Sequence, residues 1–406
     1  MVSIEDIRAA AASLEGVAVR TPLIAAPRLS ERTGAEIFLK LESLQYTGSF
    51  KDRGALIKLR SLSESERRAG VIAASAGNHA QGVAYHAKRL GIPATIVMPA
   101  ATPFTKIEQT RRFGPRIVLH GESLTEATAH ALEISRREGL VLVHAYDDPD
   151  IIAGQGTVGL EMLEAEPGLD VLVVPVGGGG LISGIAIAAK RLKPAIAIYG
   201  VEAEACPSMH RALRGLGAPP GASTLAEGIA VKEPGRLTLP IVREHVEEIL
   251  LVGEAAIEQA VEELLIGEKI LAEGAGAAPL AALETDPARW RGRKVGLVIS
   301  GANIDSRILS SILLRGLVRS GRLVRLRLEL LDQPGSLAKV ASIIADAGAN
   351  VVEVSHQRLF ADVPVKHTEL DLMIESRSPE HAREIMDKLA AAGFPNRALG
   401  IRSGGN

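Results

Sequence analysis

The chain has 406 residues, with 46 lysines and arginines against 48 aspartates and glutamates, so its formal net charge is −2. That length predicts two or three domains, and the balanced charge offers no electrostatic footprint for nucleic acid or an anionic membrane. Small molecules are therefore the expected partners. The single cysteine, Cys206, excludes an intrachain disulfide framework and suits a reducing cytosol. Because residues 1–6 show no basic flank leading into an apolar stretch, we expect no signal peptide and a cytoplasmic location.

Helical patterns alternate with short apolar runs up to residue 300. Helices are predicted over residues 3–15, 54–62 and 81–90, and strands over 94–98, 171–176, 195–199 and 295–300. Continuous apolar runs, rather than alternation, are typical of strands buried on both faces. The pattern therefore predicts an α/β fold with parallel sheets.

One stretch, residues 171–189, contains no charge and is about long enough to cross a bilayer. It also contains Pro175 and four consecutive glycines, which would break a spanning helix in its middle. We therefore expect a strand, a loop and a helix here, and no membrane partner.

The hydrophobic pattern of the chain changes near residue 320. Residues 324–330 alternate strictly between apolar and charged side chains, as a half-exposed antiparallel strand does. The turn 332–335 follows, and the remaining patterns predict a helix at 336–347, strands near 350–356 and at 368–374, a helix at 378–392 and a short strand after Asn396. This β-α-β-β-α-β order predicts a second, ferredoxin-like module.

Lys51 lies in the motif Ser-Phe-Lys-Asp-Arg-Gly at residues 49–54. Lysine forms Schiff bases with carbonyl compounds, and it does so best where a desolvated site lowers its pKa. Most lysines are solvated surface charges, so the motif alone does not indicate catalysis. Two loops that follow it, at residues 75–82 and 177–180, favour a catalytic role for Lys51.

The tetraglycine at 177–180 follows a predicted strand and opens a helix over 181–192. Glycine lets successive backbone N–H groups approach an anion, and the helix dipole adds positive charge. The loop could hold any phosphate or form only a tight turn, and it lacks the Gly-Lys-Ser/Thr of a Walker loop. The loop at 75–82 also opens a helix and suits a carboxylate, although Ser75 or Asn78 could instead be a structural N-cap.

These motifs together resemble the fold type II pyridoxal-phosphate (PLP) enzymes, and in particular the threonine/serine ammonia-lyases, over residues 1 to about 318. The resemblance implies a catalytic domain at 1–318, with a small subdomain at about 50–148 inserted in a larger one, and PLP in the cleft between them. The module at 323–406 resembles an ACT domain, which binds small regulatory ligands. We expect a homo-oligomer with an amino-acid substrate.

The resemblance also assigns roles to individual residues. Lys51 would form the Schiff base with PLP and then act as the general base, with Phe50 against the cofactor ring. Asn78 would bond the ring oxygen, and Ser300 would place a neutral hydroxyl on the pyridine nitrogen. The phosphate would be held by Gly177, Gly178, Gly179, Gly180 and Leu181, and the substrate carboxylate by the loop Ser75, Ala76, Gly77, Asn78 and His79. For His79 a local structural hydrogen bond remains open, and Glu273 could either approach the active site or only begin a helix.

The implied reaction is the conversion of L-threonine to 2-oxobutanoate and ammonia, with L-serine as a second substrate. Serine racemase is an alternative, but racemases of this type carry a serine where Ala76 stands. A 3-hydroxyaspartate dehydratase and a non-catalytic amino-acid sensor remain open. The carboxylate spacing of cation-binding relatives would fall on Glu202 and Ser208, of which only Glu202 is acidic, so we assign no metal ligand and a cation site near Glu202 remains open.

The second module is expected to bind an amino-acid effector, isoleucine or valine, at residues 332–337 and 350–358, at an interface between two ACT modules. The Pro334-Gly335 turn before a helix leaves N–H groups that suit an α-carboxylate. The alternative is an oligomerisation domain with an empty site.

Overall fold

The computed structural model describes residues 2–219, 223–357, 364 and 366–399. The chain divides into two compact units, Met1–Asp305 and a second unit that begins at Ser306. The helix Ser306–Arg319 therefore groups with the second unit. Each unit is described by itself below.

The first unit contains two largely parallel sheets and the helices that cover them. Its strands are β1 (Leu23–Ala25), β2 (Glu36–Leu41), β3 (Val71–Ala74), β4 (Ala94–Met98), β5 (Arg116–Leu119), β6 (Val141–Leu142), β7 (Val171–Pro175), β8 (Ala197–Ala203), β9 (Glu248–Val252) and β10 (Lys294–Ile299). Its α-helices are α1 (Ile4–Leu14), α2 (Pro27–Thr33), α3 (Lys51–Ser61), α4 (Glu64–Ala69), α5 (Asn78–Leu90), α6 (Phe104–Arg111), α7 (Leu124–Glu138), α8 (Pro149–Ala165), α9 (Gly180–Leu192), α10 (Ser208–Leu213), α11 (Thr238–His245), α12 (Glu254–Ile266) and α13 (Gly274–Thr285).

The larger sheet has the order β1-β2-β10-β7-β8-β9, and all its neighbours are parallel except β1 and β2. Every residue of β7 is buried, so this strand has no solvent-facing side, as its continuous apolar run predicts. Leu172 and Val174 pack with Ile182 and Ile185 of α9 in one core cluster. The predicted α/β fold with parallel sheets is confirmed.

The smaller sheet has the order β5-β4-β3-β6 and is parallel throughout. Its two faces are covered by different helices: Ala73 and Ile96 share a cluster with α5 residues, whereas Ile72 and Val97 pack with residues of α7. Side chains on alternate faces are thus both buried, and the carboxyl end of β3 leads through residues 75–77 into α5.

Two helix starts differ from the predicted ones in a way that matters for the site. The helix predicted at 54–62 begins at Lys51, and the helix predicted at 81–90 begins at Asn78. A first helical turn carries no repeating apolar signal, so periodicity alone places such starts too late. The predicted strand at 195–199 is also shifted, because β8 runs from Ala197 to Ala203.

The second unit contains α14 (Ser306–Arg319), β11 (Leu323–Leu331), α15 (Ser336–Asp346), β12 (Asn350–Gln357), β13 (His367–Glu375), α16 (Pro379–Ala391) and β14 (Asn396–Leu399). Its antiparallel sheet has the order β12-β13-β11-β14. Leu326 and Leu328 are buried against helix residues such as Val340 and Ile385, whereas Arg325 is exposed. The predicted ferredoxin-like module is therefore confirmed, and the predicted effector residue Arg358 lies outside the described residues.

Within these described ranges, no helix combines the length and the apolar character that crossing a bilayer requires.

His86 of α5 is a buried histidine that the fold holds neutral. Its side chain is fully buried, and neither ring nitrogen has a hydrogen-bond partner among the described residues. Burial, with smaller contributions from Arg89 and Arg60, lowers the pKa of His86 to about 3. Because an unfolded histidine titrates near pH 6.5, the unfolded chain binds the proton first, and stability is lost as pH falls below that value.

We therefore expect His86→Leu to flatten the acid side of the stability profile. Between pH 8 and pH 5 the variant should gain about 2 kcal/mol in free energy of unfolding relative to the wild type, at about 1.4 kcal/mol per pH unit below 6.5. Urea denaturation at both pH values measures this difference. Equal losses in variant and wild type would show that His86 is not the group that titrates.

Candidate active site

Lys51 is the first residue of α3, and its side chain is half-buried. The Nζ atom donates to the carbonyl oxygen of Ala145 at 2.6 Å and lies 5.0 Å from the centre of the Phe50 ring. Burial lowers the pKa of Lys51 to about 8, partly opposed by the carboxylate of Glu273. About a tenth of the amine is thus unprotonated at pH 7, far more than for a solvated lysine with a pKa near 10.4, and a nucleophile or general base needs this unprotonated form.

The chain on either side of Lys51 is tied to the carboxyl end of β10. Ser49 and Gly301 form an antiparallel bridge, and the N–H of Phe50 donates to the carbonyl of Ser300 at 3.1 Å. Ser300 itself is buried. The structure therefore brings Lys51, Phe50 and Ser300 together where open α/β sheets bind ligands.

A buried ion cluster holds α3 from its other side. Arg53 is 1% exposed, and its guanidinium binds Glu42 at 2.7 Å and Glu161 at 2.6 Å. Lys40 donates to the same Glu161. Because removing one partner would leave an uncompensated buried charge, this cluster fixes the position of the helix that carries Lys51. Sequence reasoning missed it, although Lys40, Glu42 and Arg53 all lie close to the lysine motif.

The glycine loop presents a row of free backbone donors. Within the described part of the chain, the six consecutive N–H groups of residues 177–182 donate no hydrogen bond, although nearly all of these residues are buried. Buried N–H groups are rarely left unpaired, and these six lie at the N-terminus of α9. The loop therefore fits a phosphate dianion.

Close packing around the loop leaves no space for side chains on its glycines. A Cβ on Gly178 would lie 2.3 Å from the ring of Tyr146, and one on Gly179, where φ is +94°, would lie 2.7 Å from Met209. Thr238 fixes the loop by donating from its hydroxyl to the carbonyl of Gly178 at 2.6 Å. Tyr146 and Thr238 were not identified from the sequence, since no local pattern links them to the glycines.

Asn78 is the first residue of α5. Its Nδ2 donates to Oε1 of Glu273 at 2.6 Å, and its Oδ1 accepts from Nδ2 of Asn303 at 2.7 Å. Glu273 is also the N-cap residue of α13, although its side chain makes no cap hydrogen bond there, so this residue both begins a helix and contacts Asn78. Burial raises the pKa of Glu273 to about 7.

The loop before α5 offers further donors. In the described chain, the N–H groups of Ala76 and of residues 78–80 have no acceptor, whereas that of Gly77 bonds the Ser75 hydroxyl at 3.2 Å. This arrangement at a helix start suits a carboxylate. The substrate role of residues 75–79 remains a prediction.

His79 has a structural contact, because its Nε2 lies 2.8 Å from the carbonyl oxygen of Val143. Burial and then the charge of Lys51 lower the pKa of His79 to about 3, so the imidazole is neutral. The structural hydrogen bond expected as one alternative is therefore present.

Glu202 lies on β8, and its side chain binds the first residues of α10. Its carboxylate accepts from the Ser208 hydroxyl at 3.2 Å and from the N–H groups of Met209 and His210 at 2.8 and 2.9 Å. Among the residues that the structure describes, no group of three histidine, cysteine or acidic side chains could hold a metal ion.

Two protein-family models match this chain. The family model described as pyridoxal-phosphate dependent enzyme matches residues 14–301, and an ACT domain model matches residues 324–394. An L-threonine ammonia-lyase of Thermotoga maritima is 47% identical over 402 residues, covering 98% of this chain and 100% of that protein.

Two solved structures share the fold of the first unit. Maize serine racemase aligns with a TM-score of 0.74 at 34% identity, covering 78% of this chain and 98% of the racemase. The processed form of a threonine deaminase from Solanum lycopersicum aligns with a TM-score of 0.73 at 36% identity, covering 77% of this chain and 88% of the deaminase. The family resemblance seen in the motifs is confirmed: the chain belongs to the pyridoxal-phosphate dependent enzymes, uses that cofactor, and carries a C-terminal ACT domain.

Proposed function

We propose that this chain is a threonine ammonia-lyase that converts L-threonine to 2-oxobutanoate and ammonia, and L-serine to pyruvate more slowly. The observation that carries the proposal is the juxtaposition of a low-pKa lysine, Lys51, with a neutral residue, Ser300, at the end of β10. The 47% identity to the Thermotoga protein named L-threonine ammonia-lyase, over 98% of this chain, supports it.

The glycine loop, the loop before α5 and Lys51 have separate roles in the proposed reaction. When bound, pyridoxal phosphate supplies an electron sink for the bond pair released at Cα of the substrate. The free N–H groups of residues 177–182 would hold its phosphate, and those of Ala76 and residues 78–80 would hold the substrate carboxylate. Lys51, half-buried and with its pKa lowered to about 8, takes the Cα proton as general base.

Ser300 influences the outcome through its lack of charge. A carboxylate beside the pyridine nitrogen would keep that nitrogen protonated, whereas a neutral hydroxyl need not. Ser300 would therefore limit how long negative charge persists at Cα, which favours loss of the β-hydroxyl over slow reprotonation. Elimination is the expected consequence.

Racemisation is the second candidate, favoured by the fold shared with maize serine racemase. It requires a proton donor on the opposite face of the substrate from Lys51, and Ala76 has no group that can supply one. A 3-hydroxyaspartate dehydratase shares the elimination chemistry and differs only in the substrate side chain.

Steady-state kinetics on L-threonine, L-serine and 3-hydroxyaspartate, together with chiral analysis of unreacted substrate, test this proposal. We expect the highest kcat/KM for threonine and no D-enantiomer. Accumulation of D-serine faster than pyruvate would favour the racemase, and a preference for hydroxyaspartate would replace the proposed substrate.

The second unit is proposed to bind an amino-acid effector between two copies of the chain. Gly335, with φ +91°, turns the chain into α15, and the N–H groups of Leu337 and Ala338 have no acceptor in the described chain. Val352 and Val354 on the edge strand β12 are 57% and 45% exposed. An apolar edge strand of this kind favours pairing with a second copy, which supports a homo-oligomer.

We expect isoleucine or valine to change the apparent KM for threonine at least about five-fold, the lower range of typical allosteric coupling. Leu337→Glu would place a carboxylate in the first turn of α15 and should abolish this response by competing with the effector carboxylate. Ser342→Glu adds the same charge in the middle of α15, away from its first turn, and should keep the response. If neither amino acid alters the kinetics of the wild type, the unit is an oligomerisation module.

A further inference from the structure

The Asn78 side-chain amide is held at both of its ends. Its Nδ2 donates to Glu273 at 2.6 Å, and its Oδ1 accepts from Asn303 at 2.7 Å. One of the two hydrogens on Nδ2 is used by Glu273, and the other has no acceptor in the described part of the chain. The amide therefore has one free N–H whose direction is fixed.

The two partners determine which way the amide faces. An asparagine amide has nearly the same shape after a half turn, so packing alone cannot select between its two orientations. Turning it here would set Oδ1 against an oxygen of Glu273 and Nδ2 against the donor nitrogen of Asn303. Both hydrogen bonds would be lost, because an acceptor would face an acceptor on one side and a donor would face a donor on the other.

Both partners are themselves anchored. Nδ2 of Asn303 also donates to the carbonyl of Thr47 at 2.7 Å, and Oδ1 of Asn303 lies 2.8 Å from where a Cβ on Gly48 would stand. The N–H of Thr47 donates to buried Asp52, the neighbour of Lys51, at 3.1 Å.

Glu273 is anchored separately, because its backbone N–H donates to the carbonyl of Gly301 at 3.0 Å. The chain of contacts thus joins both ends of the Asn78 amide to the segment that carries Lys51.

We propose that Asn303 and Glu273 are positioning residues that set the orientation of the Asn78 amide, so that its free N–H is presented to the ring oxygen of the cofactor. The inference rests on the proposed function, which assigns Asn78 to the cofactor. Neither positioning residue needs to touch the substrate. Their effect on the cofactor passes through one amide.

The test compares cofactor binding with folding in four variants. Asn303→Asp puts acceptor oxygens opposite Oδ1 and favours the turned amide, so the pyridoxal phosphate dissociation constant should rise at least ten-fold and the visible absorbance band should shift. Asn303→Ala removes the preference and should give a smaller change. Glu273→Gln can still accept from Nδ2, so it should keep the wild-type dissociation constant; its absorbance band is the reference for the double variant below, because removing the Glu273 charge also acts on Lys51. Asn396→Ala, which removes two comparable amide bonds to the carbonyls of Met386 and Phe394, is the matched control and should leave both unchanged.

The double variant Asn303→Asp/Glu273→Gln separates positioning from general stabilisation. A turned Asn78 amide would be fully hydrogen-bonded in it, because the amide introduced by Glu273→Gln can donate to Oδ1 and the carboxylate introduced by Asn303→Asp can accept from Nδ2. Thermal stability should therefore recover towards the wild-type value, while the weak cofactor binding and shifted band persist. Recovery of both together would overturn the inference in favour of a purely structural role.

Two other outcomes are decisive. If the Asn303 variants bind the cofactor as the wild type does, while Lys51→Ala loses the band, the inference is wrong and the proposed function stands. If the wild type itself shows no lysine-dependent band, both fail. Should Asn303→Asp not fold, the comparison of Asn303→Ala with Asn396→Ala carries the same test.

Discussion

Replacing Lys51 with alanine is expected to remove the lysine-dependent visible absorbance of the cofactor and to lower ammonia release from threonine by at least about 10²–10⁴-fold, the range that a general base contributes. The methyl group can neither bond the cofactor carbonyl nor accept the Cα proton. Folding should be kept, because among the residues that the structure describes Nζ makes one hydrogen bond, to Ala145. Absorbance spectra, a coupled keto-acid assay and circular dichroism measure the three quantities.

Lys58→Ala is the matched control for this variant. Lys58 lies on the same helix, α3, and binds Asp148 at 2.7 Å at the partly exposed surface. We expect a change in stability within about 1 kcal/mol and normal turnover, because such pairs contribute little. Near-normal activity in Lys51→Ala would show that another group performs the chemistry.

A methyl group on Gly178 is expected to weaken pyridoxal phosphate binding by about 100-fold, equivalent to about 2.7 kcal/mol. The added Cβ would lie 2.3 Å from the Tyr146 ring, so either the ring or the glycine loop must move. Movement of the loop would misdirect the free N–H groups of residues 177–182 that hold the phosphate. Equilibrium titration of the apoprotein with the cofactor measures the loss.

Gly217→Ala provides the comparison, because a Cβ at that position meets nothing within 4 Å and its φ is not in the left-handed region. It should bind the cofactor as the wild type does. Equal affinities for Gly178→Ala and Gly217→Ala would mean that the tetraglycine is only a tight turn and that the phosphate lies elsewhere.

The fold could be predicted because burial leaves a direct pattern in the chain. The apolar run of β7 has no polar face, and the alternation at residues 324–330 has one charged face, so the two kinds of sheet could be distinguished. Helix starts were less accurate, because Lys51 and Asn78 lie in first turns that carry no repeating signal.

The supporting residues of the site could not be predicted in the same way. Asn78 and Glu273 are 195 positions apart, and Asn303 is 225 positions from Asn78. Their contact arises only when β3 and β10 bring the ends of two sheets together. Tyr146 beside Gly178 is a similar case, because the residue that leaves no space for a side chain at Gly178 comes from a distant segment.

The most direct test of the proposed activity is the product balance of the purified, cofactor-loaded protein with L-threonine. We expect 2-oxobutanoate and ammonia to appear in equal amounts, matching the threonine consumed, with no D-threonine or allo-threonine formed. Consumption of threonine without equimolar keto acid and ammonia, or no consumption while L-serine is racemised, would contradict the proposal that this chain is a threonine ammonia-lyase.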